Sequence, residues 1–126
     1  MSFSMSWAVN GVGGNSKNPI WDDIEKKLTA LKGQNGALTI DICDNDVGPQ
    51  LLQVRTEAGF YLVTLGEIVD DDYDIRTYYD QDSEDVMIGI LGDFWPKKQL
   101  TTDFSFVTNV FREFFHTGNV QKNLLN

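Results

Sequence analysis

Six consecutive residues, Phe60 to Leu65 (FYLVTL), put apolar side chains on both faces of any strand they form, because successive strand residues point to opposite faces. Such a strand needs cover on each side, which predicts a place near the middle of a sheet. The preceding run, Leu51 to Thr56, is also β-rich, and Glu57, Ala58 and Gly59 between the two fit a short hairpin loop with the glycine in the left-handed position. A hairpin with two apolar faces cannot stand alone. The rest of the chain must supply both further strands and the elements that cover them.

Those elements are legible by period. Phe3, Met5, Trp7 and Val9 alternate with Ser2, Ser4, Ser6 and Ala8, a strand with one buried face, and Gly11 to Asn18 reads as a loop. Asn18 and Pro19 form a helix start, Trp21, Ile24, Leu28 and Leu31 share one helical face, and Gly33 supplies the stop. Leu38, Ile40 and Ile42 alternate as another strand. Ile75 to Tyr79 and Val86 to Leu91 are the next strands, separated by the acidic turn Asp80 to Asp85. Thr102 opens a second helix with Asp103 in its first turn, an apolar stripe of Phe104, Val107, Phe111, Phe114 and Phe115, and Gly118 as terminator. The order β-α-β-β-β-β-β-α predicts an α+β fold over residues 1–126: one domain, with a mostly antiparallel sheet of about six strands covered by two helices.

At 126 residues the chain can bury one core. A net charge of −9 argues against nucleic acid and anionic membranes as direct partners. Cys43 stands alone, so no internal disulfide forms, and a reducing compartment, the cytoplasm, is expected. No basic amino-terminal leader and no apolar run of membrane-spanning length occurs.

Catalytic constellations are missing. His116 falls on the polar side of its helix without an orienting partner or nucleophile, and Cys43 ends an apolar strand, where inert packing is the ordinary role. Gly11, Gly13 and Gly14 lie between strand and helix but have no phosphate-loop spacing, and Asp22 and Asp23 would repel phosphate. No cofactor is expected. Aromatic Phe94 and Trp95, ahead of Pro96, are expected to pack in the core, with a second contact patch as the alternative.

The remaining feature is charge. Between Glu67 and Asp85 stand nine carboxylates (Glu67, Asp70, Asp71, Asp72, Asp74, Asp80, Asp82, Glu84 and Asp85) against one cation, Arg76, with Tyr73, Tyr78 and Tyr79 among them. Asp41 to Asp93 carries −12, so the remainder of the chain is +3. Calcium loops fail at both candidate sites: Asp70, Asp72 and Asp74, like Asp80, Asp82 and Glu84, have the first three spacings. The sixth position is then Ile75 or Asp85 instead of Gly, and the twelfth Gln81 or Leu91 instead of Glu. A solvated loop that aids solubility explains the acids but not the tyrosines. A protein-binding surface explains both, with carboxylates meeting Lys or Arg and tyrosines as amphipathic anchors.

The strand followed by NPIWDDIEKKL, the hairpin QLLQVRTEAGFYLVTLGE, the segment LGDFWPK and the closing VFREFFHTGN together resemble small immunity proteins of bacterial polymorphic-toxin and contact-dependent growth inhibition systems. The resemblance implies a non-enzymatic inhibitor that binds the cognate C-terminal toxin domain of a secreted effector, commonly a basic nuclease. On that footing Asp70, Asp71, Asp72, Asp74, Asp80, Asp82, Glu84 and Asp85 would supply the field and Tyr73, Tyr78 and Tyr79 the anchors. A generic acidic interaction or regulatory domain with no toxin partner is the alternative.

Overall fold

The computed structural model describes residues 1–126. Six antiparallel strands make the main sheet: β1 (Phe3–Val9), β2 (Val12–Lys17), β3 (Gly36–Ile42), β4 (Gly48–Glu57), β5 (Phe60–Val69) and β6 (Asp72–Thr77), in spatial order β2-β1-β3-β4-β5-β6. Two short strands, β7 (Met87–Ile90) and β8 (Asp93–Pro96), form a separate hairpin. Helices α1 (Trp21–Leu31) and α2 (Phe104–Thr117) cover one face of the main sheet. The fold is α+β, with its two helices in the expected places.

The core lies between helices and sheet. Ile24, Leu28 and Leu31 from α1 and Val107, Val110, Phe111 and Phe114 from α2 meet the inward residues of the strands, among them Met5, Ile40, Leu52, Val63 and Leu65. Helix α2 starts one residue later than its expected opening: Asp103 is the cap and its carboxylate accepts the Phe106 N–H at 3.2 Å. Gly118 ends the helix at φ 78°. Helix α1 begins at Trp21 and not at Asn18–Pro19, because Asn18 is left-handed at φ 52° and its N–H bonds to Phe3 O, closing the first hairpin. The Asp23 carboxylate takes the Ile20 N–H instead, at 3.1 Å.

The segment expected to be a loop, Gly11 to Asn18, is mostly strand β2. Asn10 and Gly11 both have positive φ and form the two-residue turn that antiparallel hairpins favour. The glycine-rich strand has a packing reason: a Cβ on Gly14 would lie 2.5 Å from the Trp7 ring, which crosses it. Lys27 sits 4.1 Å from the centre of that ring on its way past.

Strand β5 is second from the sheet edge, not central. Its two-sided apolarity has a different origin from the one expected. Tyr61, Val63 and Leu65 face the helices, while Leu62 packs on the other side with Ile90 and Leu100, flanked by Phe60, Ile88 and Trp95. The β7–β8 hairpin is the second cover. Trp95 joins that cluster, with Arg55 over its ring at 5.3 Å, whereas Phe94 is 74% exposed and so does not take the core position expected of it.

The β4–β5 turn is tighter than the three-residue loop expected, because Glu57 and Phe60 pair and leave only Ala58 and Gly59 to turn. Ala58 carries φ 52°, which costs a Cβ-bearing residue ~1–2 kcal/mol. Ala58→Asn is therefore expected to raise unfolding free energy by ~1 kcal/mol, read as a higher urea midpoint at unchanged slope.

Candidate functional site

The acidic run is divided by the sheet into two groups. The first sits at the β5–β6 turn. Asp70 and Asp71 are its two turn residues, at φ 51° and 66°, a conformation aspartate tolerates better than most side chains. From the turn, Asp72 and Asp74 project toward the helix side of the sheet, and Tyr73 and Ile75 toward the open side. Gly48 of β4 pairs with Ile68, so the β3–β4 connection, carrying Asp44, Asp46 and Val47, emerges at this same end. Gly66 makes room for Tyr73: a side chain there would collide with the tyrosine hydroxyl, so the ring lies across the glycine.

Charge at this end is uncompensated by ion pairs. The salt bridges are Arg55–Asp93, Arg76–Glu67, Lys97–Glu84 and Arg112–Glu25, and none reaches Asp44, Asp46 or Asp70 to Asp74. Arg76, the one cation of the run, is turned inward and only 6% exposed. Its guanidinium donates to Leu125 O at 3.0 Å, Asn119 Oδ1 at 3.1 Å and Val120 O at 2.5 Å, and lies 3.7 Å from Glu67. It binds the carboxyl-terminal tail and pairs with none of these aspartates, while Lys122 of that tail lines a cleft with Asp74. Around them stand exposed Val47, Val69, Tyr73 and Ile75.

The second group, Asp80, Asp82, Glu84 and Asp85, follows the far end of β6, whose six residues span ~17 Å at strand rise. Here the acids are partly engaged. Glu84 meets Lys97 Nζ at 2.7 Å, and this hydrogen bond, with the charge of the lysine, lowers the Glu84 pKa. Asp80 accepts the Asp82 N–H at 3.0 Å, its own N–H bonds to Lys98 O at 2.7 Å, and Lys98 Nζ reaches Gln81 O. Tyr78 is half-buried, edge-on to Phe106 with ring centres 5.2 Å apart. Burial first, then the charges of Asp80 and Asp103, raises its phenol pKa. Of this group's tyrosines only Tyr79 is exposed.

Asp41, on the open face, is half-buried and its pKa is raised by desolvation. The native state thus holds this proton more tightly than the unfolded chain, a contribution present at low pH and lost as pH rises through the carboxylate range. Asp41→Asn should stabilise the fold slightly at about pH 7, the gain being reduced by solvent screening of a partly exposed group, and be neutral at about pH 3, where both states are largely protonated; urea titrations at the two pH values measure it.

Elsewhere the surface offers little chemistry. The largest groove, about 530 Å³ between α1 and α2, is lined by Thr29 and Thr108, whose hydroxyls bond back to Glu25 O and Phe104 O, and by the Glu25–Arg112 pair. His116 is exposed beside Trp21 and Phe115. Cys43 is exposed too, because it lies one residue beyond the end of β3. No three His, Cys, Asp or Glu side chains converge as a metal site, and no helix is long and apolar enough to cross a membrane.

Asp44, Asp46 and Ile75 belong to the first group by position alone. The signal that would have found them is hairpin register, which fixes the ends of β3 and β4 beside the β5–β6 turn.

A crystal structure of a hypothetical protein from Neisseria gonorrhoeae shares the fold, with a TM-score of 0.80 at 19% sequence identity, covering 95% of this chain and 90% of that one. No curated protein matches the sequence. The sequence model of DUF6911, described as a family of unknown function, matches residues 3–124, and the chain belongs to that family.

Proposed function

We propose that this chain is a cytoplasmic immunity protein that binds a cognate toxin domain, a basic nuclease, and neutralises it without catalysis. The observation that carries this reading is the group Asp70, Asp71, Asp72 and Asp74, exposed and free of ion pairs at one end of the sheet, with Tyr73 exposed on the other face of the same strand. Like charges held together at one sheet end oppose folding, so they point to a role in recognition. A nuclease presents cations where its phosphodiester substrate binds, and a surface of carboxylates fits the same place. Such complementarity raises association rates toward about 10⁸ M⁻¹s⁻¹ at low salt. The sequence resemblance to immunity proteins supports the same partner class.

The test is co-expression with the product of the reading frame immediately upstream, where a cognate toxin is expected. Rescued growth and co-purification as a stable complex are the expected results. Toxicity that persists at full expression of this chain, with no complex recovered, overturns the proposal.

A further inference from the structure

We propose that the free edge of β6 accepts an extended segment of the protein partner as a seventh strand, one whose side chains alternate between cationic and apolar. This rests on the protein-binding reading above and adds the mode of contact.

Backbone geometry sets the edge. A two-residue turn makes Val69 and Asp72 a hydrogen-bonded pair, so the N–H and C=O groups of Asp72, Asp74 and Arg76 turn toward β5. Those of Tyr73, Ile75 and Thr77 therefore turn outward. Thr77 is already matched, since its N–H bonds to Asn126 O at 3.4 Å and its C=O accepts the Asn126 N–H at 2.9 Å, in the manner of a strand neighbour. Tyr73 and Ile75 have no such partner. Their four outward groups form an open template of the kind that strand-addition complexes use.

The side chains state what fits. Tyr73 and Ile75 are 53% and 51% exposed on one face of the edge, and Asp72 and Asp74 occupy the other, where Glu67 and Asp74 share a cleft of about 250 Å³ with Arg76 and with Lys122 and Asn126 of the tail. Residues of an added strand also alternate, so cations fall beside Asp72 and Asp74 while apolar groups fall beside Tyr73 and Ile75. A second copy of this chain is the wrong occupant, because edge-to-edge pairing would set the aspartates of one copy against those of the other.

The probe is a peptide of about eight alternating lysines and valines, a common strand length, titrated into the labelled protein and followed by NMR. The Tyr73 and Ile75 amides are expected to shift and to gain exchange protection. Ile75→Pro removes one outward N–H at an edge position that tolerates proline, and should weaken the peptide about tenfold. Methylating alternate backbone nitrogens of the peptide should do the same without altering the protein. Peptide binding by Ile75→Pro within about twofold of the unaltered chain, but lost in Asp72→Lys with Asp74→Lys, overturns strand addition while leaving the acidic surface as a recognition site. Binding unaffected by either change overturns both. Concentration-dependent protection of the same amides in the protein alone would assign the edge to a second copy and overturn the proposal.

Discussion

Arg76→Ala is expected to lower unfolding free energy by ~3–5 kcal/mol, a large share of the 5–15 kcal/mol typical of a domain. The guanidinium is buried and donates to the carbonyls of Val120 and Leu125 and to the Asn119 side chain, and Glu67 approaches it at 3.7 Å. Truncation removes these charge-assisted bonds, leaves buried acceptors without donors and isolates Glu67. Each orphaned group costs ~1–3 kcal/mol, and the terms are not additive. The tail carries Val120 and Leu125 into the core, at 3% and 0% exposure, so its release also opens apolar surface. Chemical denaturation reads the global loss, and hydrogen exchange should show residues 119–126 losing protection first. Arg76→Lys keeps the charge but not the fork, and should recover less than half the loss. Unchanged protection of the tail in Arg76→Ala would show that apolar contacts alone hold it.

Arg76 also marks the limit of what the sequence discloses. By composition it is the single cation amid nine acids, and reading it as partial neutralisation is natural. Strand parity puts it on the helix side with Asp72 and Asp74, but nothing in the local pattern says that a tail more than forty residues later docks there. Elements defined by contiguous periodicity are legible: the phenylalanine and valine stripe of α2, its Asp103 cap and its Gly118 stop lie within one residue of expectation. Strand β2 was hidden by its own glycines, although Asn10–Gly11 is a strong hairpin signal, because the need of Trp7 for an empty Gly14 position is tertiary. Phe60 to Leu65 correctly demanded two covers, yet which element supplied the second depended on the β7–β8 hairpin folding back over Leu62. The acids were legible as a concentration and not as a shape. Hairpin register separates Asp70 to Asp74 from Asp80 to Asp85, and gathers Asp44 and Asp46 from well before β5 in the chain.

That separation yields the second large effect. Replacing Asp70, Asp71, Asp72 and Asp74 together by Lys is expected to slow association with the proposed toxin partner by about 10²-fold at low salt, because steering arises from uncompensated charge on the approaching face. Replacing Asp80, Asp82 and Asp85 should slow it by less than about tenfold, since Lys97 and Lys98 pack against that turn and already weaken its field. Rates measured at about 0.1 M and about 1 M salt, where the Debye length falls from ~10 to ~3 Å, should converge for the unaltered chain and the first variant. The exposed side chains carry no ion pairs to lose, so the first variant should unfold at an equal or higher denaturant concentration as repulsion within the turn is relieved. Loss of binding with stability retained would thus be a surface effect and not a folding defect. Equal losses from the two variants would mean that the partner reads the whole edge of β6 and the turn beyond it, and no loss from either would remove the acidic surface from recognition altogether.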